Sequence, residues 1–440
     1  MAESSDHDNP EVILGVVGVG YVGLTTGACL AALGHRVVCG DIDADRVERL
    51  RAGVIPIVEE GLQPLVAEGI ASGRLTFEVG AAAVAQQASI VFLCVPTPQD
   101  ADGSADLSYV QAAAAEIAPV LAPGSVVVNK STVPVGSTHV VSAVLRRGDV
   151  SVVSNPEFLR EGTAVHDFLH PDRVVVGSAD RAAAHRVADL YRTLDTRVLV
   201  TDAASAETIK YAANGFLAMK LAFVNQLADL CEVIGANISE VVHGIGLDAR
   251  IGTGYLTPGP GWGGSCFPKD SRAVVQIARQ EGFDFSLMAS VIEANERHIR
   301  HMVDKIERSV STGIQGARIA LLGLTFKAGT DDLRESPSLR IAQQIMERGG
   351  VVAAYDPTCR GVLSAQQKTA LGQVTVCDTV EQAVEGADLL VVATEWPEFK
   401  ECDFAHLASC VRTRRIVDLR NLLEPEQVVT HGFEYLGLGR

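Results

Sequence analysis

Glu11-Val12-Ile13-Leu14-Gly15-Val16-Val17-Gly18-Val19-Gly20-Tyr21-Val22-Gly23 opens the chain with a short apolar run that ends in closely spaced glycines. The apolar stretch to Val17 reads as a buried strand. Tyr21 to Leu33 follows with helical periodicity, and His35 to Gly40 reads as a second strand that ends at Asp41. This is a β-α-β unit with a right-handed crossover. In such a unit Gly18 permits the tight turn, Gly20 lets a ligand phosphate approach the backbone, and Gly23 allows close packing of helix on strand. The helix start then offers unpaired N–H groups to an anion. The spacing predicts a dinucleotide site.

Asp41 strengthens that reading, because a carboxylate at the end of the second strand accepts ribose hydroxyls and repels a 2′-phosphate. NAD is therefore expected over NADP. Asp41 has a plainer reading as a helix N-cap, and Arg46 either weakens the NAD preference or stacks on the adenine. Cys94-Val95-Pro96-Thr97-Pro98 follows a further strand and is expected to line the groove from the other side.

Strand candidates continue at Ser89 to Val95, Ser125 to Lys130, Val150 to Ser154 and Val174 to Gly177, alternating with helical stretches. They predict a doubly wound parallel sheet over roughly the first 200 residues. Ser205 to Ile234 is one long Ala- and Leu-rich helical pattern. At about 1.5 Å per residue it spans on the order of 45 Å, enough to join two domains. The competing reading is an ordinary buried helix broken at Gly215. Phe285 to Val310 is a second helical stretch. The α/β rhythm then restarts, with strands at Arg318 to Leu322, Val351 to Tyr355, Leu389 to Ala393 and Arg415 to Leu419, and a helix at Ser338 to Arg348. Its first turn, Gly323-Leu324-Thr325-Phe326-Lys327, lacks the glycine fingerprint and is expected to bind something other than a standard dinucleotide. The fold class is α/β: two Rossmann-like, doubly wound parallel-sheet domains joined by a long central helix. The boundaries are 1–203 for the NAD-binding domain, 204–310 for a central helical region and 311–440 for the second domain.

The 440 residues are 47% hydrophobic and 21% charged, as expected of a folded globular protein. A net charge of −17 argues against general nucleic-acid binding, which needs clustered Lys and Arg. A few focused cations still suffice for an anionic small molecule. Met1 to Pro10 is polar, with no signal-peptide character, and apolar runs stop short of membrane-spanning length. Nine dispersed cysteines point to a reducing compartment, the cytoplasm, and no Cys/His set has metal-ligand spacing.

The second informative stretch is Gly259-Pro260-Gly261-Trp262-Gly263-Gly264-Ser265-Cys266-Phe267-Pro268-Lys269-Asp270. Glycines let a ligand approach the backbone. Pro268 is expected to start a helix through Arg279, which puts the Cys266 sulfur at a positive dipole end, and Lys269 adds a cation. Asp270 is placed to orient a base or a water. A glycine-rich turn with a buried cysteine is the plainer alternative. A hydride acceptor plus a positioned thiol suggests oxidation of an alcohol to an aldehyde, capture on sulfur, and a second oxidation to a thioester. Lys130-Ser131-Thr132-Val133-Pro134 and Asn155-Pro156-Glu157-Phe158-Leu159-Arg160-Glu161-Gly162 fall at strand ends, where ligands collect in open α/β sheets. Glu157 and Glu161 are four apart, so on a helix they would share a face; otherwise these are charged loops.

In order and spacing, the motifs at 18–23, 94–98, 130–134, 155–162 and 263–270, with Arg334-Glu335-Ser336, resemble those of the UDP-glucose/GDP-mannose dehydrogenase family, the nucleotide-sugar 6-dehydrogenases. The resemblance implies two successive NAD-dependent oxidations of UDP-glucose at C6, giving UDP-glucuronate. It assigns the nucleophile to Cys266 and oxyanion stabilisation to Lys210 and Asn214, four apart on the long helix. It gives the hydrolytic water to Asp270 and Thr132, and general-base work to Glu157. Glu161 and Arg334 would lie near the cofactor, with Tyr21, Val22, Pro96 and Thr97 completing that site. Phe158, Leu159, Lys327 and Arg420 would hold uracil, ribose or phosphates, beside Tyr255 and Gly263. Arg250 would reach a neighbouring subunit, the central helix forming a homodimer. UDP-N-acetylmannosamine and GDP-mannose enzymes share the architecture; Pro-Asp-Arg-Val-Val-Val-Gly at 171–177 and Ser-Cys-Phe-Pro-Lys-Asp are closer to the UDP-glucose branch.

Overall fold

The computed structural model describes residues 12–100, 103–361 and 363–440. Met1 to Pro10 and Glu11, read above, lie outside the described residues. The chain divides into two compact units, Met1–Ala212 and Ala213–Arg440, with the boundary inside one long helix.

In the first unit eight strands form one sheet: β1 (Ile13–Val17), β2 (Arg36–Asp41), β3 (Leu75–Val79), β4 (Ile90–Leu93), β5 (Val126–Asn129), β6 (Ser151–Ser154), β7 (Arg173–Gly177) and β8 (Arg197–Thr201). Their order is β3-β2-β1-β4-β5-β6-β7-β8. Alternating residues feed opposite cores. Leu14 and Val16 of β1 and Ile90 and Phe92 of β4 enter one, while Val17, Val91 and Leu93 enter the other. A strand buried on both faces reads as a continuous apolar run, which is why β1 and β4 are visible in sequence. The sheet departs from all-parallel at one place: β7 meets β6 antiparallel through Ser154 and Gly177. The strand β8 pairs parallel with β7 and continues that reversed direction.

The second unit holds six strands: β9 (Arg318–Leu322), β10 (Val351–Tyr355), β11 (Thr375–Val376), β12 (Leu389–Val392), β13 (Arg415–Asp418) and β14 (Glu434–Gly437). The order β11-β10-β9-β12-β13-β14 repeats that of the first six strands of the other sheet, and all its pairings are parallel. Both sheets therefore have their switch point at the first strand, where ligands collect in open α/β sheets.

The long helix runs unbroken over Ala203–Ile234, 32 residues or about 48 Å. Asp202 caps its start by accepting from the Ser205 amide at 2.8 Å. It ends at Gly235, whose φ of +75° lets Gly235 and Ala236 both donate to Cys231 O. Gly215 does not break it. A Cβ there would sit 3.2 Å from Met288 Sδ on the helix Ser286–Ser309, so this glycine serves close packing.

Candidate active site

The turn after β1 is built without side chains. Gly18 has φ +92°, and a Cβ on it would lie 2.7 Å from Cys94 O. A Cβ on Gly23 would lie 1.8 Å from Gly18 O, so only glycine lets the helix Tyr21–Ala32 start this close to the strand. Gly20 faces open space, and no side chain caps the helix that follows it. The first amides of that helix are thus available to an anion. Asp41 Oδ2 accepts from the Val19 amide at 3.0 Å and lies 3.4 Å from Arg46 Nη1. The N-cap of the next helix is Asp43, which accepts from the Arg46 amide, so Asp41 is not spent on capping. Across the turn, Thr97 Oγ1 donates to Thr132 O at 2.9 Å and ties the 94–98 loop to the 130–134 loop. Gly162, next to Glu161, donates its amide to Tyr21 Oη at 2.6 Å and to Glu59 Oε2 at 2.7 Å. The segment 157–161 is not helical, so the four-residue spacing of Glu157 and Glu161 does not give them a common helix face.

Beyond Asn155, Lys210 Nζ meets Glu157 Oε1 at 2.8 Å, and Glu157 Oε2 accepts from the Leu159 amide at 2.6 Å. Burial pushes the Glu157 carboxyl up, but Lys210, the Leu159 amide and Lys130 together outweigh it and hold it below its ordinary range. The ring of Phe158 has Lys210 Nζ 5.5 Å from its centroid and the Arg173 guanidinium carbon at 3.6 Å.

Three polar residues here carry no role in the motif reading. Lys130 is buried and donates to Asn155 Oδ1 at 3.1 Å and Tyr191 Oη at 3.4 Å, and burial brings its amine down to about 8. Arg173 faces Phe158 from within the 171–177 motif. Glu207 accepts from the Gly136 and Thr138 amides at 2.6 and 3.1 Å, anchoring the loop that follows Thr132, with burial raising its carboxyl to about 7. Lys130 and Arg173 stood inside quoted motifs. Nothing local marks Glu207.

In the second unit Cys266 is the N-cap of the helix Phe267–Gln280, and Pro268 occupies its second position, one residue later than expected. Asp270 is fully buried one turn on. Its Oδ2 accepts from Asn214 Nδ2 at 2.6 Å and its Oδ1 from Lys269 Nζ at 2.5 Å. Lys269 therefore shares its charge with Asp270 rather than offering it to the sulfur alone. The glycine loop leading to the thiol lies against the 326 and 334–336 segments. A Cβ on Gly263 would be 2.0 Å from Glu335 O, and the Gly264 amide donates to Arg334 O at 3.2 Å.

Arg420 donates through Nε to Ala393 O at 3.0 Å and through Nη2 to Phe326 O at 2.9 Å, and its Nη1 would be 2.8 Å from a Cβ on Gly259. Lys327 follows Phe326 directly in sequence, with Nζ 5.6 Å from the Phe326 ring. Tyr255, at φ +60°, places its ring 6.3 Å from that of Phe267. The Arg334 side chain pairs with Asp332 at 2.7 Å. Arg250 is the outlier: it is 88% exposed and pairs with Asp248, away from this group.

The two first turns differ in one decisive way. Leu324 N donates to Asp356 Oδ2 at 2.7 Å, the counterpart of Val19 N to Asp41. Asp356, however, is fully buried, and that same oxygen also takes Thr325 N, Thr325 Oγ1 and Trp396 Nε1. A ribose has no access to it, whereas Asp41 stays partly open. The first unit alone carries a dinucleotide-type carboxylate.

Comparison with known proteins agrees with this division. Residues 12–195 match the NAD binding domain of the UDP-glucose/GDP-mannose dehydrogenase family, 204–297 its central domain and 320–425 its UDP binding domain. The chain belongs to the UDP-glucose/GDP-mannose dehydrogenase family. It is 46% identical over 435 residues to the UDP-glucose 6-dehydrogenase of Rhizobium meliloti, covering 97% of this chain and 99% of the relative. The enzyme of the same name from Pseudomonas aeruginosa is 43% identical over 438 residues, covering 97% of each. Among solved structures, a UDP-glucose dehydrogenase from Pyrobaculum islandicum superposes with a TM-score of 0.89 at 36% identity, covering 100% of this chain and 99% of the other. A UDP-D-ManNAc dehydrogenase from Pyrococcus horikoshii reaches 0.86 at 30% identity, covering 98% and 99%.

This family member is an NAD-dependent oxidoreductase. Its first turn fits that cofactor: the open face at Gly20, the uncapped helix start and the partly open Asp41 supply the cradle, the anion site and the ribose acceptor. Among the described residues no His, Cys, Asp and Glu group has the arrangement of a metal site, and no helix is long and apolar enough to cross a membrane.

Proposed function

We propose that this enzyme oxidises UDP-glucose at C6 to UDP-glucuronate, a four-electron reaction carried on Cys266. NAD, when bound, supplies the hydride acceptor for each of the two oxidations. The Cys266 thiolate adds to the C6 aldehyde and forms a thiohemiacetal. Loss of the second hydride leaves a thioester, and water cleaves it to the carboxylate and the free thiol. Lys210 and Asn214 stabilise the oxyanions that develop at C6. Asp270 and Thr132 orient the water, and Glu157 takes its proton. Glu161 and Arg334 border the nicotinamide.

Support for the covalent route rests on one observation: the sulfur stands at the amino end of a helix, with a fully buried carboxylate one turn on that is held by Asn214 and Lys269. Support for the substrate comes from relatives named UDP-glucose 6-dehydrogenase at up to 46% identity. We assign NAD to residues 1–203 and the UDP-sugar to 311–440, with Phe158, Leu159, Tyr255, Gly263, Lys327 and Arg420 as contacts. Helical residues 204–310 pair two cytoplasmic subunits. Phe216, Phe223 and Leu230, each about half exposed, recur every seven residues and give the long helix an uncovered apolar stripe. Arg250, 88% exposed beside Asp248, is available to the partner.

The deciding experiment counts NADH formed per sugar, with UDP-glucose, UDP-N-acetylmannosamine and GDP-mannose compared in parallel. Two NADH per UDP-glucose supports the proposal, and one reduces Cys266 to a structural residue. A preference for UDP-N-acetylmannosamine would favour the alternative substrate, a reading supported by the likeness to the Pyrococcus horikoshii enzyme.

A further inference from the structure

Gly259, Gly261, Gly263 and Gly264 leave the loop before Cys266 with few side chains of its own to fix its path. At the far end of the loop, Gly263 and Gly264 rest against Glu335 and Phe326. At the near end its backbone is held by two helices of the same unit, each offering an amide and an ionisable group on one face. From Ala203–Ile234 these are Asn225 and Asp229; from Ser286–Ser309 they are Asn295 and His298.

Asn225 Oδ1 accepts from the Gly259 amide at 2.9 Å, and His298 Nε2 lies 2.8 Å from Gly259 O. Asn295 binds both backbone polar atoms of Trp262, accepting from its amide at 2.9 Å and donating to its carbonyl at 3.0 Å. Every backbone donor and acceptor of Gly259 and Trp262 is thereby matched by a side chain. The other ring nitrogen of the buried His298, Nδ1, lies 2.9 Å from Asp229 Oδ2. A carbonyl and a carboxylate only accept, so this geometry calls for a donor at each ring nitrogen. The charged groups around it are Asp229 and Glu232 on one helix, His301 and Lys305 on its own, and Arg420, paired with Glu395, against Gly259.

We propose that His298 is a positioning residue for Cys266: its ring bridges Asp229 to the Gly259 carbonyl and fixes the entry of the glycine loop that carries the thiol. The bridge acts through the loop. Loss of the Asp229 side of the bridge loosens the hold on the Gly259 carbonyl, and an ångström-scale drift of the thiol costs on the order of 100-fold in rate.

The test compares wild type, His298→Gln, and the double variant His298→Gln with Asp229→Asn. Glutamine keeps a donor toward Gly259 O but turns its own oxygen toward Asp229. Asparagine at 229 restores a donor to that oxygen and rebuilds the bridge without charge. The single variant is expected to change the rate of Cys266 alkylation by iodoacetamide several-fold (Cys266→Ala giving the background) and to lower kcat by about 10- to 100-fold, with NAD affinity unchanged. The double variant is expected to recover both rates to within about threefold. In wild type, 15N shifts of the imidazole should report both nitrogens protonated at neutral pH, a reading that needs no variant to fold. Wild-type alkylation and kcat in the single variant, no recovery in the double, or a neutral His298 ring would each overturn the inference. Its kcat arm rests on the proposed function, but alkylation and the 15N shifts do not. The expected result in those two without turnover on UDP-glucose would sink the substrate reading and leave the His298 bridge standing.

Discussion

Lys210 and Glu157, 53 residues apart in sequence, meet at 2.8 Å with both side chains 4% exposed. A pair this deep is costly to break from one side, because the remaining charge loses its partner but not its burial. Glu157→Gln is therefore expected to destabilise the protein by about 3–5 kcal/mol, measured by urea unfolding at pH 7. The folded-state carboxyl is held below its ordinary 4.5, so its contribution is present above that pH and is lost as pH falls. The gap between wild type and variant should narrow in acid. An equal gap at pH 4 and pH 7 would show that the ion pair is not its source.

Lys130 gives the opposite sign. Burial lowers its amine from 10.5 to about 8, so between those values the folded state holds fewer protons than the unfolded chain, and stability rises with pH. Lys130→Met should leave Tyr191 Oη donating to Asn155 Oδ1 at 2.7 Å and stabilise the fold at pH 7 by about 1–3 kcal/mol. The advantage should shrink as pH is raised from 8 toward 10.5. Unfolding curves at pH 7 and 9.5 check both statements.

Asp41→Asn keeps an acceptor for the Val19 amide and removes the charge proposed to meet the ribose. Isothermal titration should show NAD bound about tenfold more weakly, the worth of a charged hydrogen bond. With the charge gone and Arg46 released, NADP should gain on NAD. An unchanged ratio of the two affinities would take Asp41 out of cofactor choice.

Gly263→Ala tests how tightly the thiol loop is seated. Its Cβ would fall 2.0 Å from Glu335 O and 2.8 Å from Pro337 Cδ, neither of which is the free end of a flexible side chain. The loop must shift, and kcat/KM should fall by about 100-fold or more. Near-native turnover would mean that the loop position does not set the chemistry.

Phe223→Asp places a charge in the exposed apolar stripe of the long helix. Sedimentation should show the native protein as a dimer and the variant as a monomer, the charge being too costly to bury in the interface. A native monomer would remove the pairing assigned to that helix.

Much of the fold was legible because strands buried on both faces read as unbroken apolar runs. Arg318–Leu322 and Val351–Tyr355 match their expected limits residue for residue. The edge strands Leu75–Val79 and Arg197–Thr201 went unread, since their mixed exposure dilutes the apolar signal. The reversal at β7 was equally invisible, because strand direction follows from the path of residues 155–172 rather than from the strand's own composition. Among site residues, those inside motifs could be named, but Glu207, Tyr191 and His298 stand in no motif and become visible only through their partners.

The chain by itself determined the glycine turn at 18–23, the acidic end of the second strand, the long helix and the thiol at the close of a glycine loop, because each is a local pattern of residue type and spacing. Tertiary structure alone decided which charges are shared: Glu157 with Lys210, Asp270 with Asn214 and Lys269, His298 with Asp229 and the Gly259 carbonyl. Most of these contacts join residues more than thirty positions apart, and they form only where packed helices and strand ends exclude water. In that setting an unpaired polar group is too costly to leave, so the packing selects the partner.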